Sequence, residues 1–342
     1  MLAVDESVEG SPPSAMRASA MRARPIQARP GRVRLHVTLF LVFIGVLASA
    51  PLWTTNNYQW GILNQAMVFV VFAAGFYFVF GMSGQFNFAH GGFFAIGAVV
   101  SAKAAGENHF WLGFVAAIVV CVALGALFRF ALRKVNAIYF AIATFALNGI
   151  ALVVVQSWTW LSGGFAGLSG LAVPTFFGRA LPTPDNVYWL YAAMAAVAVG
   201  LGVLLELSPL RRYVLVARDN RGILKTLGVS ASRIELIMFA LGCAFAGAAG
   251  SMYAHMIGFL SGFSFSETIS LNVFLMVIMG GVSVVWGAVI GAYLLTWLPE
   301  LLRGLAEHAA LVYAALLVGV LLLVPKGITG VLERAWKVVR RA

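Results

Sequence analysis

The feature that most limits what this chain can fold into is its succession of apolar runs, each near the roughly 20 residues that carry an α-helix across a bilayer. They fall at residues 35–52, 61–80, 85–104, 111–128, 137–156, 187–206, 235–257, 268–285, 287–302 and 309–325. Only 10% of the 342 residues are charged, against about 25% in water-soluble domains, so most of the chain has no polar face to offer water. A transmembrane barrel would alternate apolar and polar over strands of about 10 residues, and that pattern is missing from the sequence. The expected fold class is an all-α polytopic membrane protein of about ten transmembrane helices.

The formal charge of +11 would suit nucleic acid if it were clustered, but the basic residues sit at span ends and in a few loops. The leading segment with Arg17 to Arg34, the turn with Arg129, Arg133 and Lys134, the stretch from Arg211 to Arg233, and the C-terminal Lys326, Arg334, Lys337, Arg340 and Arg341 all fall on one side. The other side receives Lys103, Arg179 and Arg303. This is the positive-inside distribution. It predicts cytoplasmic N- and C-termini and argues against a nucleic-acid partner. Residues 1–34, rich in Ser, Pro, Ala and Arg, read as a disordered basic cytoplasmic tail. Residues 35–325 read as the membrane domain and 326–342 as a second basic cytoplasmic tail. Leu39 to Leu47 followed by Ala48-Ser49-Ala50 resembles a signal-peptide core with its cleavage site. The long leading region favours a retained anchor, and charge does not discriminate. Cys121 and Cys243 lie within apolar runs and read as small buried hydrophobes, with no disulfide or metal spacing.

Uphill movement of a solute needs energy, and the dipeptide Gly-Lys of a P-loop never occurs. Glu107, Glu206, Glu267 and Glu300 fall at span ends or loops, so a carboxylate proton relay inside the membrane is not expected. The chain is either passive or driven by another polypeptide. The cytoplasmic stretch 208–234 bears on this choice. Ser208 reads as an N-cap before Pro209. Leu210, Val214, Ala217, Arg221 and Leu224 recur at helical spacing, Gly228 stops the helix, and Ser232 with Glu235 reads as a capping box for the next span. One or two short helices under the membrane would either lie on anionic headgroups or dock a soluble partner. The outer loop 157–186, with Trp158, Trp160 and several Gly and Pro, reads as an ordered cap, either a docking surface or a plain connector.

"GQFNFAHGGFFAIGA" (84–98), "ARDNRGILKTLGVSASRIELIMFALGCAFAGAAGSMYAH" (217–255), "FLMVIMGGVSVVWGAVIGAYLL" (274–295) and "LLLVPKGITG" together resemble the permeases of branched-chain amino-acid ABC importers, the LivM type. The resemblance spans about residues 60–330. It implies a bacterial plasma (inner) membrane protein that is not an enzyme. It also implies no cofactor or metal on this chain, ATP being used by partner ATPase subunits. The implied partners are a second homologous permease, two cytoplasmic ATPase subunits and a periplasmic or extracellular solute-binding protein. Residues 208–234 would then be the ATPase-coupling loop, with Arg218, Asp219, Arg221, Leu227 and Gly228 as its contact candidates. At 223–227 the chain has Ile-Leu-Lys-Thr-Leu where an acidic-Ala-Ala pattern is commoner in the family. The competing function is a stand-alone secondary carrier or channel for small polar solutes such as urea or amides.

Glycine-interrupted apolar segments at matching places in two halves point to a transporter's substrate path. Gly81, Gly84 and Gln85 precede one such segment, and Gly280, Gly281 and Ser283 another. Non-helical backbone at membrane depth survives only where protein or water faces it. Gln85, Asn87 and His90 are therefore expected to face the bundle interior, either as inter-helix ties or as lining of the path. A helix starting near Gly91 would aim its positive end at an anionic group. Thr144, Asn148 and Asn272 are weaker lining candidates, and His255 reads as interfacial. The small-residue rows Gly242-Ala246-Gly250 and Gly287-Gly291 permit close helix packing, within the chain or against a second permease.

Overall fold

A computed structural model describes residues 30–303 apart from positions 53, 55, 107–108, 165, 177–178 and 227, together with a few positions between 312 and 319 and residues 327–330. The expected N-terminal tail up to residue 29, most of the expected last span at 309–325, and nearly all of the C-terminal tail lie outside the described residues. Residues up to Val42 form one unit and those from Phe43 onward another. Helix α1 runs Pro30–Ser49, so helix begins within the segment expected to be tail.

The second unit is a helical bundle. After α1 come α2 (Asn57–Phe76), α3 (His90–Ala105), α4 (Phe110–Ala131), α5 (Ala137–Ser157) and α6 (Pro184–Leu207). The short α7 (Leu210–Asp219) and α8 (Arg221–Thr226) precede α9 (Ala231–Ile257), α10 (Glu267–Gly280) and α11 (Val285–Leu301). Helix α9 is the hub, packed against α2, α3 and α4, and α2 also packs against α6 and α11. Small residues make this closeness feasible. A Cβ on Gly97 would meet the backbone of Gly247 at 2.5 Å, and one on Gly250 would overlap the carbonyl of Phe94. Gly242 faces Gly75 and Val79, while Gly287 and Gly291 lie against the backbone of α10. Both small-residue rows are thus consumed by packing within the chain.

Among the described residues six helices are long and apolar enough to cross a membrane, or seven if α10 and α11, bent by 118°, make one broken span. The expected count of about ten separate spans is thus not confirmed among the described residues. Helix α3 has 16 residues and α10 has 14, or about 21–24 Å at 1.5 Å per residue, short of a hydrocarbon core of about 30 Å. Glycine-containing breaks, which hydropathy averages over, start α3 late and end α10 early. The span expected to start at Gln85 starts at His90, and the two spans expected at 268–285 and 287–302 are the two limbs of the bend.

At the end of the bundle opposite α7 and α8, the described residues of the loop 157–186 include short strands. Strand β1 (Leu168–Ser169) pairs antiparallel with β4 (Phe259–Leu260), and β2 (Thr175–Phe176) pairs with β3 (Arg179–Ala180).

Candidate functional site

The first break is made by backbone geometry. Helix α2 loosens into a π-helical turn at Tyr77–Met82, Gly84 takes a left-handed φ of 70°, and residues 84–89 carry no helix before α3 begins. The break must satisfy its polar groups without water, and buried side chains do so. The Ser83 hydroxyl donates to the Val79 carbonyl at 2.7 Å. Gln85 donates through Nε2 to Ser83 Oγ (2.8 Å) and to the Glu235 carbonyl (3.2 Å), while its Oε1 accepts from Arg129 Nε at 2.8 Å. Arg129 in turn forms an ion pair with Glu235, their side chains 4% and 6% exposed. It also donates to the Leu132 carbonyl at 3.2 Å and lies 4.8 Å over the Phe140 ring. Burial of each charge is offset by the other and by these hydrogen bonds. Gln85 is therefore an inter-helix tie, its amide joining the break to the ends of α4 and α9. The expected capping box does not form, because Glu235 is turned to Arg129 and Ser230 precedes α9 without a side-chain cap.

Asn87 and His90 are less fully engaged. Asn87 Oδ1 accepts from Ala89 N at 2.9 Å, leaving its Nδ2 without a partner. His90 is fully buried, stacked on Phe72 and edge-on to Phe76. Its Nε2 lies 3.2 Å from the Phe72 carbonyl, which can only accept, so Nε2 carries the hydrogen and Nδ1 is left without a partner. The start of α3 is met by protein rather than left open, since Gly91 N donates to Ser270 Oγ (2.8 Å), which donates to Asn148 Oδ1 (3.2 Å). Thr144 Oγ1 accepts from Phe88 N at 3.1 Å. Thr144 and Asn148 thus hold the break in place, and Asn272 is half-buried on α10.

The second break, residues 281–284, turns on Gly281 at φ 118°. Gly280 lies so close to the backbone of Gly287 and Gly291 that a Cβ would overlap them. The two breaks meet, for a Cβ on Gly81 would stand 3.0 Å from the Val282 carbonyl. Between them, the Glu206 carboxylate accepts from the Tyr77 hydroxyl and from the backbone N–H of Val285, both at 2.5 Å. The Tyr77 hydroxyl is also 3.5 Å from the Ser283 carbonyl. The positive end of α11 is therefore neutralised by a carboxylate of the chain itself.

The hairpin of α7 and α8 reaches this junction. Val214, Ala217 and Leu224 are buried, as their spacing predicts. Asn220 divides the two helices and accepts from Gly222 N at 2.9 Å, and Gly228 ends the second at φ 71°. The Ser208 hydroxyl bonds back to Leu205 instead of capping α7. From α7, Arg218 Nη1 donates to the Gly81 carbonyl at 2.9 Å, and its side chain runs within about 3.1 Å of where a Cβ on Gly84 would be. One coupling candidate and two path glycines are thereby brought into contact. Asp219 is exposed, Gly228 lies apart from the junction, and Leu227 and the Arg221 side chain are outside the described residues.

At the opposite end, His255 is buried rather than interfacial. It joins Ser101 Oγ at 3.0 Å, itself 2.6 Å from Ser251 Oγ, to the Ala172 carbonyl of the loop at 2.7 Å. Trp111 Nε1 also ties that loop through the Thr175 carbonyl at 2.8 Å. Among the described residues no group of His, Cys, Asp or Glu is placed to hold a metal ion. Sequence reasoning missed Tyr77, Arg129, Glu206 and Glu235 as site residues, because Arg129 and Glu206 were placed at span ends, Glu235 was given to a local cap and Tyr77 was read as part of an apolar run. The usable signal was Arg129, flanked by Leu127, Phe128, Phe130 and Ala131.

Comparison with known proteins accords with this architecture. Residues 59–325 match the family described as branched-chain amino acid transport system / permease component. The chain is 30% identical over 318 residues to the high-affinity branched-chain amino acid transport system permease protein LivM of Salmonella typhimurium, covering 85% of this chain and 74% of that one, and the LivM protein of Escherichia coli matches equally. The permease protein LivH of Escherichia coli is 27% identical over 284 residues, covering 77% of this chain and 91% of that one. No solved structure matches. Paired helix breaks within a multi-pass inner-membrane bundle, together with a family match over most of its length, mean that the chain belongs to the branched-chain amino acid transport system permease family.

Proposed function

We propose that the chain is the membrane-spanning permease subunit of an ATP-binding-cassette importer. Its cargo would be amino acids, branched-chain ones first, or related small polar solutes. The observation that carries this reading is the Arg218 bond to the Gly81 carbonyl, which ties the hairpin outside the bundle to the point where both helix breaks meet. A force on the hairpin reaches the first break through Arg218, alongside the packing of α7 on α6, α9 and the π-helical turn. On this reading both termini and the hairpin are cytoplasmic, in keeping with the distribution of Lys and Arg. Two ATPase subunits grip the hairpin, a second homologous permease completes the path, and a solute-binding protein delivers cargo to the loop 157–186. The names borne by the LivM and LivH relatives support the permease role and the branched-chain cargo. This chain uses no cofactor of its own, ATP being hydrolysed by its partners.

Asn87 Nδ2 and His90 Nδ1, buried without partners, are the groups we assign to the solute. They offer one donor and one acceptor beside the break, and burying such groups unpaired costs about 1–3 kcal/mol each. The test is uptake of radiolabelled leucine into proteoliposomes containing this chain alone or with its second permease, ATPases and binding protein. Uptake only in the complete system and only with ATP is expected. Uptake by this chain alone without ATP would establish the stand-alone carrier or channel instead.

A further inference from the structure

Helices α4 and α5 are joined by the short turn 132–136, yet they scarcely touch, and each packs instead on the core behind it. Between them is a crevice of about 340 Å³. Its floor is Ala89, Gly92 and Phe93 of the α3 start, and its walls include Leu127, Ala131 and Leu147. No polar side chain lines it. It opens on the outside of the bundle, where Leu124, Leu127 and Phe130 are exposed. Only 28% of the α4 span and 33% of the α5 span are buried, against 89% for α2 and its π-helical extension, so this side is not covered by the chain's own described helices. Two residues beyond Ala131 the turn carries Arg133 and Lys134, both exposed, with no carboxylate between 131 and 136. The Arg133 guanidinium lies 4.5 Å over the ring of Phe130, the residue before Ala131 of the crevice wall.

We infer that the crevice takes one acyl chain of an anionic phospholipid, its phosphate held by Arg133 and Lys134. An apolar slot with two exposed cations beyond one end, the neighbouring Glu235 being engaged by Arg129, has the polarity of such a lipid from tail to headgroup. A zwitterionic headgroup would gain much less from the pair, and free phosphate would have no use for the slot. The bound chain would press on Ala89 and Gly92, which flank His90, and so brace the point where α3 restarts after the break. This inference does not depend on which solute the chain moves.

The full chain is reconstituted in nanodiscs of phosphatidylcholine with a minor fraction of phosphatidylglycerol, extracted gently, and its retained lipids counted by native mass spectrometry. Phosphatidylglycerol should be retained selectively. Arg133→Gln with Lys134→Gln should weaken that retention about 30-fold, from two interfacial cations lost. Leu147→Trp, which fills the slot with the charges intact, should also abolish it, and millimolar inorganic phosphate should not displace the lipid. If Leu147→Trp fails to fold, the exposed double variant still decides. Equal retention of both lipids, or unchanged retention in the double variant, overturns the inference. So does efficient disulfide crosslinking of Leu127→Cys to a second permease in native membranes, since protein would then cover the crevice.

Discussion

Removing one partner of the Arg129–Glu235 pair should be far more damaging than removing both. Each side chain is at most 6% exposed, so neither charge can recover its hydration when the other is lost. Breaking a buried pair costs about 3–5 kcal/mol, whereas exchanging both partners for apolar groups of similar volume is often close to neutral. The two singles differ in what they leave. Glu235→Gln leaves a guanidinium still bonded to Gln85 Oε1 and the Leu132 carbonyl and lying over Phe140, so it should fall at the low end. Arg129→Met leaves a buried carboxylate beside Gln85, whose Oε1 has also lost its donor, and should fall at the high end. The assay is thermal unfolding of purified protein in one detergent for wild type, Arg129→Met, Glu235→Gln, Glu235→Leu and the double variant Arg129→Met with Glu235→Leu. Single losses on the order of 10 °C are expected, with the double variant losing much less than the sum of the two. Additive losses, or singles within about 1 kcal/mol of wild type, would refute the claim that this is a buried, mutually dependent pair.

Other substitutions test other parts of the site. Gly84→Ala puts a side chain at φ 70° and 3.0 Å from Arg218 Cγ. It should cost about 1–2 kcal/mol and lower ATP-driven uptake while membrane insertion is unchanged; wild-type uptake would count against it. Gly280→Ala collides with the Gly287 carbonyl and should sharply reduce the folded yield, which a normal size-exclusion profile would contradict. His255→Phe removes the link from Ser101 to the Ala172 carbonyl, so external protease should cut within 157–186 faster than in wild type, and equal cutting rates would show that the link is dispensable. Asn87→Leu deletes the unpartnered Nδ2 donor and also the Oδ1 that accepts from Ala89 N, so it should abolish uptake with a thermal loss limited to that stranded N–H, about 1–3 kcal/mol; uptake at the wild-type level would show that Asn87 does not meet the solute.

Much of this was legible in the residues. Apolar runs gave the helices, and glycines next to Ser83, Gln85 and Ser283 marked both breaks, because backbone turning at membrane depth requires those residue types. The hairpin followed from the spacing of Val214, Ala217 and Leu224 and from Gly228. Span lengths were not legible, since hydropathy continues through "GMSG" and "GGVS" although the helix does not. Nor were the fates of Arg129, Glu206 and Glu235. A charge near a span end looks the same in sequence whether it meets water or a partner more than 100 residues away, as Glu235 does on Arg129. The capping box failed for that reason, a tertiary ion pair outcompeting a local cap. His255 was misread similarly, its partners Ser101 and Ala172 being invisible in its own segment.

The central claim is that Arg218 transmits motion of the hairpin to the paired breaks. Its most direct test is to measure ATP hydrolysis and leucine uptake side by side in proteoliposomes of the full importer carrying Arg218→Met. The account predicts ATP turnover near wild type with uptake reduced at least about tenfold, the loss of one charged hydrogen bond of about 1.5–3 kcal/mol. Uptake that keeps pace with hydrolysis in the variant would contradict it.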